Sequence, residues 1–375
     1  MKSHHTLDEK FIHQQVSHRL GRISEIQLAS ITAAQERLEA SGSGATLRWL
    51  SAQNQPAEWN NWSSNTPGIE GVRFRGRSPE LNPKTFGSLQ EILAAGADFD
   101  FAIDMQDRRV RSPAVQDGPE KGKALPVFAF NRLAGMAGLV LWPLPGYHDL
   151  GSDGFLGNFE SKRIPWEEKV SRFVWRGSPG GRNTIGKSSE HAAGHRLRPL
   201  LIKNQAHQLS DRKLFKHLDQ FPRHRFVTRY IDDTRGNVGF IDRKDIGIDR
   251  WPALRPLKRE HISQHEMLGY KYIVVLRGLD VGSSFYWTMN SGSVGLVMET
   301  PFESFASTHF RPWEHYVPFK EDSSDFEERL AWCEANDAEC RAMVERARIV
   351  CQKLAEPGLR QEANRQVITE IRRRM

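Results

Sequence analysis

The chain has 375 residues, 26% of them charged, with a formal net charge of +7, a pI near 9.3 and a mean hydropathy of −0.57. That length is too great for one ordinary core and suits two domains, and no apolar run approaches the roughly 18 residues that a membrane-spanning helix needs. The amino terminus, MKSHHTLDEKFIHQQVSHRL, lacks the apolar stretch of a secretory signal, so a cytoplasmic protein is expected.

Residues 1–40 read as a mostly polar helix with Leu20, Ile23, Ile26, Leu28 and Ile31 on its apolar face. The Ser/Gly run 41–44 and the Trp/Asn/Pro-rich stretch 53–68 read as loop. From Thr85 the pattern sharpens. A helix through Leu89, Ile92 and Leu93 closes at Gly96, and 99–103 form a strand that ends at Asp104-Met105-Gln106-Asp107. Further strands are expected at 126–130 and 138–142, which completes a first α/β domain over residues 1–165.

Ile164-Pro165-Trp166-Glu167-Glu168-Lys169 leads into a second domain, expected over 166–355, whose first strand at 172–175 runs into Arg176-Gly177-Ser178-Pro179-Gly180-Gly181-Arg182. The block 271–319 is the most informative of the chain. An apolar strand at 272–276 meets Arg277-Gly278 and the small-residue turn Gly282-Ser283-Ser284. A short helix at 285–290 breaks at Ser291-Gly292-Ser293, and a strand at 294–298 leads to Glu299-Thr300-Pro301. In open α/β sheets ligands bind beyond the carboxyl ends of such strands. Arg277, the N–H groups of the turn and Glu299 all fall there, giving an anion site beside a hydroxyl acceptor, the pair of features a sugar nucleotide requires. Ser324-Asp325-Phe326-Glu327 fits a capping box for a helix that shows Phe326, Leu330 and Cys333 on one face. A second helix is expected at 337–350, and a basic helix over 356–375 ends in Arg372-Arg373-Arg374. The three cysteines, Cys333, Cys340 and Cys351, are expected to be free and buried.

Positive charge is dispersed apart from that terminal cluster, which excludes a dedicated nucleic-acid stripe and suits phosphorylated ligands, with a peripheral contact between the cluster and an anionic membrane. Residues 181–188 fit the spacing G-x-x-x-x-G-K-S, so a P-loop NTPase stays open as an alternative, although Arg176 to Gly180 separate the pattern from its strand. A non-catalytic protein that binds sugar nucleotides or glycans is the other alternative. Asp98-Phe99-Asp100 fits a metal-holding D-x-D pattern, against which stands an ordinary helix-to-strand turn. Asp107, just past a strand end, is a carboxylate that can deprotonate a hydroxyl.

Trp166-Glu167-Glu168-Lys169, Trp175-Arg176-Gly177-Ser178, Lys271-Tyr272, Gly292-Ser293-Val294 and Arg311-Pro312-Trp313-Glu314-His315-Tyr316-Val317-Pro318 together resemble glycosyltransferase family 90, most densely over 166–346. The resemblance implies a GT-B-like α/β fold, two Rossmann-like domains facing a central cleft, in a bacterial member of the family. It implies an inverting, metal-independent enzyme, with no cofactor beyond a UDP-sugar co-substrate, that moves glucose or xylose to a hydroxyl. The acceptor would be a glycan, lipid-linked or protein acceptor of the cell-surface or lipopolysaccharide type, met at the inner face of the plasma membrane. Asp107 matches the family's catalytic base. Arg176, Gly177, Ser178 and Arg182 fall in its first donor loop, and Arg277, Gly278, Gly282, Ser283, Ser284 and Ser293 in its second donor block. Glu299 or Glu303 would hold the ribose. Two departures stand out: Ser284, Phe285 and Tyr286 occupy positions where the family often has a second arginine, and Arg108-Arg109 follow Asp107 directly.

Overall fold

Side-chain patterning accounts for the elements of the computed structural model, which describes residues 2–22, 25–26, 46–51, 55–57, 62–65, 73–76, 82–105, 107, 123–124, 127–144, 162–181, 184–185, 196–242 and 247–375. The chain divides into two units, residues 1–157, 302–309 and 352–375 in one, and residues 158–301 and 310–351 in the other.

The first unit opens with α1 (Lys2–Leu20), β1 (Glu25–Ile26), β2 (Thr46–Leu50), β3 (Gln55–Ala57), β4 (Trp62–Asn65) and β5 (Arg73–Gly76). It continues with α2 (Asn82–Ala94), β6 (Phe101–Asp104), β7 (Lys123–Ala124), β8 (Val127–Ala129), β9 (Asn131–Leu133) and β10 (Leu139–Leu141). Its five-stranded sheet runs β10-β8-β6-β2-β3, parallel from β10 to β6 and antiparallel beyond. Alternation along β6 sends Phe101 and Ile103 into the cluster with Ile12, Val16, Leu20, Leu89 and Ile92, while Ala102 joins Val127, Ala129 and Leu139 in a second cluster. Rings meet edge-on across the strands, Phe101 to Phe128 at 5.3 Å and Phe128 to Trp142 at 5.2 Å.

The apolar face of α1 comes from Ile12, Val16 and Leu20, but the helix ends at Leu20 instead of running on to residue 40. Gly21 takes φ +59°, a left-handed stop that a glycine adopts without steric penalty, and its N–H caps the Ser17 carbonyl. Ile26 lies in β1, and Ile23, Leu28 and Ile31 lie outside the described residues.

The second unit contains β11 (Val170–Gly177), α3 (Leu197–Gln205), α4 (Asp211–Leu218), α5 (Pro222–Tyr230), β12 (Gly236–Phe240), α6 (Gln264–Met267), β13 (Tyr270–Val275), α7 (Phe285–Met289) and β14 (Val294–Met298). The chain then places β15 (Phe302–Ser304) against β9 in the first unit and returns with β16 (Val317–Phe319), α8 (Phe326–Ala335) and α9 (Asp337–Ala355), before α10 (Pro357–Arg373). The sheet of the second unit, β12-β11-β13-β14-β16, is parallel throughout. The strand–helix–strand unit expected over 271–319 is therefore present, with β13 and β14 paired from Tyr272↔Val294 to Val275↔Val297. The protein is thus a mixed α/β chain with parallel sheets.

Five rings, Phe173, Phe226, Tyr230, Phe319 and Phe326, gather α5 and α8 onto this sheet, with Phe226 to Phe326 at 4.8 Å. The capping box expected from Ser324 and Glu327 is not formed: the cap position falls one residue later, at Asp325, which makes no side-chain cap and pairs with Arg329, and Glu327 pairs with Arg235 at 2.8 Å. A capping box does form at Ser263 and Glu266 on α6. All three cysteines are free and buried. Phe226→Ala should lower unfolding free energy by about 3–5 kcal/mol, since it removes the ring from a close-packed aromatic cluster. Urea unfolding followed by tryptophan fluorescence measures this, and a loss below about 1 kcal/mol would contradict the packing.

Candidate functional site

In chain order the second unit adds β12 on one side of β11 and β13 on the other, so the sheet reads 2-1-3-4-5 in space. Such a reversal opens a crevice between the carboxyl ends of the first and third strands, because their connections leave in opposite directions. Here β11 ends at Gly177 and β13 at Val275. The loops that follow them come together: a Cβ built on Gly181 would lie 3.6 Å from the Gly278 carbonyl oxygen.

Arg223, the second residue of α5, spans the two strand ends. Its Nε donates to the Arg277 carbonyl at 3.1 Å, Nη1 to the Ser178 carbonyl at 3.1 Å and Nη2 to the Leu276 carbonyl at 3.4 Å. Its guanidinium lies over the Trp175 ring at 5.8 Å. Gly278 leaves room for this approach, since a Cβ there would sit 2.8 Å from Nη2 of Arg223 and the guanidinium would have to shift. Beside it His224, fully buried against Phe221 and Phe240, has Nε2 3.1 Å from the Pro179 carbonyl; burial pushes its pKa down to about 4.

Arg277 is 6% exposed at the end of β13. Its Nη2 donates to Thr184 Oγ1 at 3.2 Å and its Nη1 lies 3.4 Å from Glu321 Oε1, a carboxylate that also accepts from the Thr184 hydroxyl. Burial lowers the Arg277 pKa, opposed by Glu321 and Asp280, yet a guanidinium stays charged in any protein setting. Its Nε has no acceptor among the described residues. A buried cation with an unfilled N–H at a strand end suits an anionic oxygen.

The remaining expected donor residues separate into groups. Ser178 is half-buried with its hydroxyl 3.5 Å from Arg223, Gly282 accepts from the Phe285 N–H at 2.9 Å, and Ser283 and Glu299 are exposed past β13 and β14. Ser284 stands at the start of α7, and its side chain makes no cap. Gly177 closes β11, but the Arg176 guanidinium turns along the sheet, donating to the Trp175, Asn237 and Glu260 carbonyls and to Asn237 Oδ1 at 2.6 Å. Ser293 is at the opposite, amino end of the sheet. There it is buried, donates to the Tyr270 carbonyl at 2.7 Å and accepts from Lys169 Nζ at 3.0 Å. Glu303 falls in the first unit, paired with Arg132 at 2.6 Å. Arg182 and the 186–188 part of the P-loop pattern lie outside the described residues.

In the first unit Asp107 is exposed, three residues past the end of β6, and Arg108 and Arg109 lie outside the described residues. Asp98 pairs with Arg372 at 2.7 Å and Asp100 accepts from the N–H and hydroxyl of Ser51 at 2.9 Å, the two carboxylates flanking the turn from α2 into β6. Among the described residues no group of three or more His, Cys, Asp or Glu is placed to hold a metal, and no helix is long and apolar enough to cross a membrane.

Known proteins add to this geometry. The model of the family described as glycosyl transferase family 90 matches residues 88–356. The chain belongs to that family. It is similar to the O-glucosyltransferase LpsA of Dichelobacter nodosus, 24% identical over 196 residues that make up 52% of this chain and 47% of that protein. It is also similar to protein O-glucosyltransferase 3 of Rattus norvegicus, 27% identical over 27% of this chain and 21% of that one. The uncharacterized protein 027R of Frog virus 3 is 29% identical over 47% of this chain and 17% of its own length. The chain thus spans about half or less of the length of these relatives.

Within this family-90 chain, Arg223 is the residue that motif reading missed. It sits 45 residues from Ser178 and 54 from Arg277, on the crossover helix and in no phosphate-loop pattern. The signal that could reveal it is helical spacing: Arg223 lies three, four and seven positions before Phe226, Val227 and Tyr230, on the buried stripe of α5. His224 gives a pH test. Buried neutral, it takes up a proton only near pH 4, whereas the unfolded chain does so near 6.5. Its contribution is therefore complete above pH 6.5 and is lost as pH falls toward 4, by about 3 kcal/mol. Urea unfolding at pH 7 and near pH 4 should show that loss, and His224→Gln should flatten it; an equal slope in the variant would contradict the assignment.

Proposed function

We propose that this family-90 chain is an inverting, metal-independent glycosyltransferase that moves glucose or xylose from a UDP-sugar to a hydroxyl of a cell-surface glycan or lipopolysaccharide-type acceptor. The observation that carries the reading is the buried Arg277 guanidinium at the end of β13, its Nε lacking an acceptor among the described residues, beside the crevice that Arg223 spans. The O-glucosyltransferase names of the relatives support the glucose donor. On this reading the two α/β units are the halves of a GT-B enzyme, the first serving the acceptor and the second the donor.

The chemistry is a single displacement. The Asp107 carboxylate takes the acceptor hydroxyl proton as that oxygen forms a bond to C1 of the sugar, and the bond from C1 to the β-phosphate oxygen breaks on the opposite face. Attack from behind inverts the anomeric centre. Negative charge gathers on the departing UDP, and the Arg277 cation at the β13 end offsets it where other enzymes use a metal. Glu299, past β14, would accept from the ribose hydroxyls.

Asp107→Asn should abolish transfer while UDP binding, measured by calorimetry, stays within about twofold; normal turnover by this variant would remove Asp107 from the mechanism. Arg277→Met should weaken UDP binding by about 10- to 100-fold, the value of a charge-assisted hydrogen bond. Thermal-shift comparison of UDP-glucose, UDP-xylose and GDP-mannose tests the donor class, and stabilisation by the guanosine nucleotide alone would overturn the UDP assignment.

A further inference from the structure

α3 and α4 pack against each other and bury Leu197, Leu200, Leu201, Leu214 and Leu218 in the core of the second unit. Their outer surfaces carry two large apolar side chains, Ile202 and Phe215, that are 49% and 54% exposed. Six cations lie in the same segment 196–219, Arg196, Arg198, Lys203, Arg212, Lys213 and Lys216, and all six are exposed. The same segment holds two aspartates and no glutamate, a net charge of +4 with histidines neutral. Asp219 is engaged by Arg225 through two hydrogen bonds, and Asp211 accepts from Asn204 at 2.7 Å.

The terminal arginines differ. Arg372 is paired with Asp98, and Arg373 and Arg374 share Glu370. Their charge is offset locally, which leaves the α3–α4 surface as the better seat for an anionic partner than the cluster the sequence brings to notice.

We infer that the α3–α4 surface docks on an anionic lipid bilayer. Exposed Ile202 and Phe215 have the size to enter the boundary between headgroups and acyl chains, and lysines and arginines of the same segment meet lipid phosphates. Lysine is depleted at protein interfaces, and three of the six cations here are lysines. A nucleic-acid surface can stack a base on Phe215 but has no use for the aliphatic Ile202. The inference rests on this surface alone and stands or falls apart from the reaction proposed above.

The full chain should sediment with phosphatidylcholine vesicles that contain phosphatidylglycerol and not with phosphatidylcholine alone, and added salt should release it. Joint Ile202→Ser and Phe215→Ser substitution should lower partitioning by about tenfold or more, and joint Lys213→Glu and Lys216→Glu substitution by about 25-fold or more, each cation counting for about fivefold. Joint Arg373→Glu and Arg374→Glu substitution should leave it unchanged. Ile202, Lys213, Phe215, Lys216 and Arg373 are exposed and Arg374 is partly so, and circular dichroism and melting should match the parent; the single variants Phe215→Ser and Lys213→Glu, read the same way, serve if a double variant melts early. Equal binding to neutral vesicles, binding insensitive to every α3–α4 variant, or salt-dependent retention on nucleic acid without vesicle binding would each overturn the inference.

Discussion

Three carbonyl oxygens from two neighbouring strand ends, those of Ser178, Leu276 and Arg277, converge on the guanidinium of Arg223. Past the last ladder bond of a parallel strand the carbonyls have no strand partner, and burying them without a donor costs about 1–3 kcal/mol each. One planar fork answers all three, so the spacing of the loops after β11 and β13 depends on it. Arg223 is held in turn by its helix: Phe226, Val227 and Tyr230 continue the same stripe into the aromatic cluster with Phe173, Phe319 and Phe326. The core thereby sets the helix, the helix sets the guanidinium, and the guanidinium sets the width of the crevice.

The first unit uses the same device. Arg132, 2% exposed, donates to the carbonyls of Arg19, Leu139 and His18 and pairs with Glu303 across the β9–β15 ladder. Arg19, 1% exposed, donates to the Leu141 carbonyl and Asn364 and stacks 4.4 Å from the Trp142 ring; burial lowers its pKa to about 9. These buried cations join the end of α1 to β10, α10 and the returning strand β15. Glu303 has a structural reason for its position, since removing it would leave the Arg132 charge buried without its carboxylate.

Much of the second sheet was legible because its strands are short apolar runs punctuated by glycine and serine, so β13, α7 and β14 lie within about two residues of where periodicity puts them. The motifs behind the family resemblance were also legible, but several of them build the sheet. Trp166 donates to Asp337, Lys271 pairs with the same carboxylate, and Lys169 holds Ser293 at the amino ends of the strands. Arg223 was not legible as a site residue because proximity in the fold, not spacing in the chain, brings it to the crevice. The stop at Gly21 was hidden by apolar residues that continue a helical period past it, and Ser324 to Glu327 spell a capping box although α8 takes Asp325 as its cap position and Glu327 pairs with Arg235.

Net charge alone cannot say where this chain meets anions, because its cations serve three different ends. Guanidinium groups held by carbonyls, such as Arg132 and Arg176, organise backbone. Those held by carboxylates, such as Arg372, Arg373 and Arg374, cancel charge where it stands. Arg277 belongs to neither group cleanly, for Glu321 lies 3.4 Å from its Nη1 while its Nε has no acceptor among the described residues. The carboxylate makes the buried cation tolerable, and Nε keeps one N–H for an anionic oxygen. A site built this way stays folded without its ligand yet retains a donor for it, as the proposed release of UDP after each turnover requires.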